Sequence, residues 1–165
     1  MRLRAWLAGF RWLHEKARRG SLPPEEAEAY REAREDLAAM LVAAQRLTLS
    51  PEQTAREALR VVRVLPLELE LATGPARCET LDISTGGFSS VLKRALQPDE
   101  TIGFTLHLGS GPLQGRARVA SVSQQGPSVR VSFRLEGAPP AAVALLGTEV
   151  MDAALEQFTD LVEQA

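Results

Sequence analysis

Residues 61–71 read VVRVLPLELEL, and their periodicity decides the fold. Leu65, Leu67, Leu69 and Leu71 alternate with Pro66, Glu68 and Glu70, the period-two pattern of a strand with one buried face. Before residue 60 the apolar residues recur every three or four positions. After it they recur every two, as far as about residue 136. The chain therefore divides into a helical first third, a strand-rich middle and a helical tail.

Downstream of the opening strand, ATGPA (72–76) reads as a turn into RCETLDIS (77–84), with Leu81 and Ile83 facing inward. GFSSVL (87–92) is a short third strand. TIGFTLHL (101–108) turns Ile102, Phe104, Leu106 and Leu108 inward and His107 outward. GSGP (109–112) leads into LQGRARVASV (113–122). After QQGP, SVRVSFRL (128–135) points Val129, Val131, Phe133 and Leu135 one way, and Ser128, Arg130, Ser132 and Arg134 the other. Six short strands joined by glycine-containing turns predict a six-stranded antiparallel β-barrel, because closure removes exposed edges. In residues 140–164, Leu146, Val150, Ala154, Phe158 and Leu161 form a helical stripe that Gly147 is placed to bend.

Upstream, Leu3, Trp6, Leu7, Phe10, Leu13 and Ala17 form one apolar stripe, with Trp12 among the arginines of the opposite face. GSLPPEE (20–26) breaks this helix and starts a second, over about 24–48, whose stripe is Tyr30, Leu37, Leu41, Ala44 and Leu47. The two predict an antiparallel hairpin. Ser50 and Gln53 then make an S-x-x-Q capping box with Pro51 at the first helical position, which predicts a short third helix from residue 51. The fold class is α+β: a helical region over 1–50, then a barrel domain with a closing C-terminal helix over 51–165.

Composition narrows the function. A net charge of −2 gives no general attraction to nucleic acid or an anionic membrane, so no DNA or RNA partner is expected. Cys78 is the single cysteine and His14 and His107 are the only histidines, so a disulfide or metal site is not expected. No run approaches the roughly 18 apolar residues of a membrane span, and Arg11 interrupts the N-terminal apolar run as a signal peptide would not allow. No transmembrane segment and a cytoplasmic location are the expectation.

Two short motifs carry chemistry. LDISTGGFSS (81–90) contains D-x-S-x-x-G at Asp82, Ser84 and Gly87, with Gly86 doubling the glycine. Alone it reads as a turn, since acids and hydroxyls bond turn backbone and glycines tolerate its dihedrals. Ser84 has no histidine near it in sequence and no nucleophile-elbow signature, and no acid–base pair is visible elsewhere, so an enzyme is not expected. REALRV (56–61) spaces Arg56 and Arg60 as R-x-x-x-R. On a continued helix the two share a face, and Glu52 is placed to pair with Arg56. Arg63 falls on the following strand and faces solvent.

Together and in this order, R-x-x-x-R before a strand and D-x-S-x-x-G one strand later, the motifs resemble the PilZ domain. The likeness runs from about residue 53 to 137, with a closing helix after 140. PilZ domains typically bind cyclic di-GMP, and the resemblance implies a ligand-binding role for Arg56, Arg60, Asp82, Ser84, Gly86 and Gly87. An arginine fork suits guanine O6 and N7 or a phosphate. A carboxylate suits guanine N1–H and N2–H₂, and the Ser84 hydroxyl suits a phosphate or the guanine edge. Gly86 and Gly87 are expected to turn with positive φ and let backbone approach the ligand. Ala55 stands where many relatives carry a further arginine.

The leading expectation is a non-enzymatic receptor with no cofactor, which passes ligand capture to an unidentified protein partner. The rival is a PilZ-fold adaptor acting by protein contact without nucleotide, for example in type IV pilus assembly. The N-terminal helices, with Trp12 exposed, offer a surface for a homo-oligomer or a membrane face.

Overall fold

The computed structural model describes residues 3–47 and 59–164 of the chain. Its elements are α1 (Leu3–Arg18), α2 (Pro24–Leu47), β1 (Arg60–Val62), β2 (Pro66–Leu71), β3 (Gly74–Ser84), β4 (Gly87–Leu92), β5 (Thr101–Leu108), β6 (Gly111–Gln125), β7 (Ser128–Glu136) and α3 (Pro140–Gln164). They fall into two compact units, one of Met1–Leu59 with Ala154–Ala165 and one of Arg60–Ala153.

The second unit is the expected barrel. Its sheet runs β3–β2–β5–β6–β7–β4 and closes by pairing β4 with β3, every ladder antiparallel. The first strand of the six is broken in two. β1 pairs with Asp82–Ser84 and β2 with Gly74–Glu79, on the same edge of β3. Pro66, which has no N–H to give a ladder, begins the second piece. Thr80 fills the break: its buried hydroxyl donates to the Arg63 carbonyl at 2.6 Å and accepts from the Leu65 N–H at 2.9 Å.

Period-two patterning builds the interior as the sequence predicts. Leu67, Leu69, Ile83, Phe88, Leu106, Val119, Val131 and Phe133 are all almost fully buried. Phe88 stands at the centre, its ring 5.1 Å from Phe104 and 5.2 Å from Phe133. These aromatic contacts add to the burial of large apolar area that drives the barrel closed. Register changes the inward assignment at Leu81. The β3–β4 register shifts between Thr80 and Asp82, so Leu81 stays partly exposed while Thr80 is buried. The strand also starts at Gly74, inside the stretch expected to be turn.

α3 runs unbroken through Gly147 and buries Leu146, Val150 and Met151. Between them Glu149 is also buried; it accepts from Arg63 Nε at 3.3 Å and from the Gly109 N–H at 3.4 Å. Arg63 is thus committed to an internal ion pair rather than to solvent. In the helical unit α1 and α2 pair antiparallel, with Phe10 stacked on Tyr30 and the Tyr30 hydroxyl 2.7 Å from His14 Nδ1. Trp12 is 56% exposed, as its place on the polar face predicts, with Lys16 Nζ 3.8 Å over its ring. Among the described residues no helix is long and apolar enough to cross a membrane.

Candidate ligand site on the barrel wall

The D-x-S-x-x-G residues lie on the outer wall of the barrel where β1, β3, β4 and β7 run side by side. Two rows of directly paired residues cross these strands. One is Val62–Asp82–Ser89–Ser132, and the next is Arg60–Ser84–Gly87–Arg134. Ile83 and Phe88, paired with each other and fully buried, fix which residues face outward. A one-residue slip would drive Asp82 and Ser84 into the core, so the apolar pattern specifies the site's register.

Asp82 is the hub. Its Oδ1 accepts from Arg60 Nη1 at 3.1 Å and from the Ser89 hydroxyl at 2.8 Å. Its Oδ2 accepts from Arg130 Nη2 at 2.7 Å. Two guanidinium groups, from β1 and β7, therefore converge on one carboxylate that is only 7% exposed. Charge-assisted bonds of this kind are about twice as strong as neutral ones. Burial would be costly for Asp82 without them.

Ser84 serves the turn. Its buried hydroxyl accepts the Gly86 N–H at 3.2 Å and donates to the Gly87 carbonyl at 3.5 Å. The Leu135 N–H donates to the Gly86 carbonyl at 2.9 Å, which ties this turn to β7. The expected positive φ at Gly86 and Gly87 is not found: left-handed glycines sit at Gly20, Gly74, Gly111, Gly126 and Gly137. The two-residue turn, Thr85–Gly86, needs no left-handed residue because the Ser84 hydroxyl completes it. Gly87 is required for a different reason. A Cβ there would run into the Phe133 carbonyl oxygen and lie 3.2 Å from Arg134 Cα, so only glycine lets β4 approach β7.

Arg60 opens β1 rather than continuing a helix, since Arg60–Val61–Val62 are laddered to Ser84–Ile83–Asp82. The expected shared helical face with Arg56 is therefore not available to it. Arg56, the capping box at Ser50 and Gln53, and the third helix from 51 lie outside the described residues. The wall thus brings together Arg60, Asp82, Ser84, Gly86 and Gly87. It also adds Ser89 and Arg130, which the motifs did not include. Their one signal in the sequence was an outward phase on strands, shared with many solvated residues.

His107 remains outward and half exposed, its Nε2 3.3 Å from Glu68 Oε2, far along the sheet from this wall in register. Cys78, on the other half of β3, has its thiol pKa pushed up, chiefly by burial. No set of three or more His, Cys, Asp or Glu among the described residues is placed to hold a metal ion.

Comparison with known proteins agrees with this architecture. The family model described as "PilZ domain" matches residues 54–152. Among solved structures, YcgR from Escherichia coli in complex with c-di-GMP superposes with a TM-score of 0.59 at 21% identity, over 67% of this chain and 50% of that one. The isolated PilZ domain of YcgR with c-di-GMP gives 0.56 at 20% identity, covering 66% of this chain and 98% of that one. The Bacillus subtilis inhibitor of motility, MotI/DgrA, gives 0.57 at 16% identity over 66% of this chain and 57% of that one. The chain thus spans about half the length of full YcgR. No curated protein matches it.

Proposed function

The chain belongs to the PilZ domain family, and from that premise we propose that it is a non-enzymatic receptor for cyclic di-GMP. One observation carries the reading: Arg60, Asp82, Ser89 and Arg130 form a compact polar cluster on the outer barrel wall. The chemistry of that cluster complements a guanine dinucleotide. Asp82 can accept the guanine N1–H and N2–H₂, groups that distinguish guanine from adenine. Arg60, and Arg56 before it, suit guanine O6 and N7 or a bridging phosphate. The two YcgR structures solved with c-di-GMP share this fold and support the same ligand class here.

The partners of Asp82 suggest how binding is read out. Its oxygens accept from Arg60, Arg130 and Ser89. A guanine edge reaching Asp82 competes with Arg60, which is then released toward phosphate or base. Arg60 begins β1, and Arg56 precedes it by four residues in the sequence. Ligand selects the arrangement in which both motifs face it, and the reoriented N-terminal segment is what a protein partner recognises.

Isothermal titration of the full chain with cyclic di-GMP tests this. Saturable heat from wild type is expected, with affinity lost in Arg60→Ala and Asp82→Ala. Absence of heat from folded wild type would end the reading.

A further inference from the structure

The row that contains Arg60 and Ser84 does not stop at the motif. Continuous ladders pair Arg60 with Ser84, Ser84 with Gly87, Gly87 with Arg134 and Arg134 with Arg118. Directly paired residues of an antiparallel sheet share a face, so Arg134 stands on the same outer wall as Arg60. We propose that Arg134 is a further ligand-contacting residue, which extends the site across Gly87 onto β7 and takes a phosphate of the bound dinucleotide. This rests on the cyclic di-GMP reading above and assigns that ligand a second anchoring side.

Geometry makes the reach suitable. Three inter-strand steps separate Arg60 from Arg134, roughly 14 Å of backbone. Side-chain arms several ångströms long extend from both ends of that row over a ligand of two nucleotides. Nothing rises between Ser84 and Arg134, because Gly87 has no side chain and the Phe133 carbonyl forbids one. The same close approach that requires glycine also keeps the floor of the row open. Further along the same face of β7, Ser132 pairs with Ser89, and Arg130 holds Asp82. The outer face of this strand therefore presents Arg130, Ser132 and Arg134 in succession beside the motif.

Electrostatics points to an anion. Arg134 is exposed and makes no side-chain hydrogen bond or ion pair with any described residue. Its direct cross-strand neighbour is Arg118, and like charges directly opposite each other destabilise a sheet. Arg118 is neutralised by Glu136, its Nη2 2.7 Å from Glu136 Oε1, whereas Arg134 has no such acid. Folding gains nothing from a second, uncompensated guanidinium there. A phosphodiester, which a guanidinium can grip with two parallel bonds, supplies the missing charge.

The test is calorimetric titration of cyclic di-GMP into the wild-type full chain, Arg134→Gln and Arg134→Glu, with melting curves on each. Arg134→Gln should raise Kd roughly tenfold, as expected when a charge-assisted bond is lost, and Arg134→Glu should raise it further. The dependence of log Kd on log salt should flatten by about one contact's worth in Arg134→Gln. Neither variant should melt earlier than wild type, because each relieves the repulsion from Arg118. Wild-type binding with unchanged Kd in both variants overturns this inference and leaves the receptor reading standing. No binding by folded wild type overturns both.

Discussion

Arg130 Nη2 lies 2.7 Å from Asp82 Oδ2, although 48 residues separate them in the chain. The contact spans β4, which pairs with β3 on one edge and β7 on the other, so that two inter-strand steps and two residues along β7 separate the pair. Asp82 is also bound by Arg60 and Ser89, so no single partner accounts for its orientation. Arg130→Ala removes one of two cations from a nearly buried carboxylate, and the fold should lose about 1–2 kcal/mol. A double-mutant cycle with Asp82→Ala, followed by urea denaturation, should return a coupling energy of about 1 kcal/mol. Additive losses would mean that the pair contributes nothing beyond its separate contacts.

The two glycines of the motif should respond oppositely. At Gly87 an added methyl meets the Phe133 carbonyl oxygen and the Arg134 backbone, neither of which can move without parting β4 from β7. Gly87→Ala should cost about 3 kcal/mol or prevent folding, by the overpacking that a closed ladder cannot relieve. At Gly86 the one neighbour is the Ser84 hydroxyl at 3.9 Å, an ordinary contact, and the backbone is not left-handed. Gly86→Ala should leave the urea midpoint nearly unchanged. Equal losses at the two positions would contradict the close approach as the reason for Gly87.

The barrel was legible because its core is written locally: alternation in 65–71, 101–108 and 128–135 sets each strand's inner face without knowledge of its neighbours. The helices were legible from stripes and breakers of the same local kind. What stayed hidden depends on register between distant strands. Arg130 shared its outward phase with Ser128, Ser132 and Arg134, and nothing in the sequence said which of them meets Asp82. Arg60 looked helical because the R-x-x-x-R spacing fits a helix turn. The ladder to β3 begins at Arg60 itself and overrides that local pattern. In sequence Gly87 looks like a dihedral requirement, the common reason for glycine, whereas the actual reason is a carbonyl one strand away. Thr80, opposite the break between β1 and β2, carried no signal at all.

The acid limb of stability should contain a contribution from Glu136. Hydrogen bonds from Arg118 and Thr101 hold its carboxyl below the ordinary 4.5. A folded value lowered in this way stabilises the fold when the group is ionised, so the contribution is fully present above about 4.5 and disappears as pH falls through the lowered folded value. Glu136→Gln should therefore flatten the fall in urea midpoint on the acid side of 4.5 and change little in its steepness above pH 6. The effect should be small, since the pair is exposed and screened, and should shrink further in 1 M salt. An acid limb identical to wild type would remove Glu136 from its causes.

Glu149 should be the most costly charged side chain to remove from α3. It is buried on a face otherwise made of Leu146, Val150 and Met151, where an acid is tolerable only when paired. Arg63, 86 residues away, and the Gly109 N–H supply that pairing. Arg63 itself sits in the break between β1 and β2, so the ion pair links the C-terminal helix to the strand that starts with Arg60. Glu149→Ala removes the acceptor that the Arg63 guanidinium and the Gly109 amide share, and should cost about 2 kcal/mol. Glu149→Gln keeps an acceptor for one of the two donors and sets its NH2 against the other, so its cost should fall between wild type and Glu149→Ala. Arg63→Met, which removes the opposite charge but keeps the stem's packing, should fall near Glu149→Ala, because it strands the buried carboxylate instead. Urea denaturation of the three variants orders them. If Glu149→Gln were as damaging as Glu149→Ala, a single neutral acceptor would contribute nothing, and the full carboxylate would be what fastens the helix to the barrel.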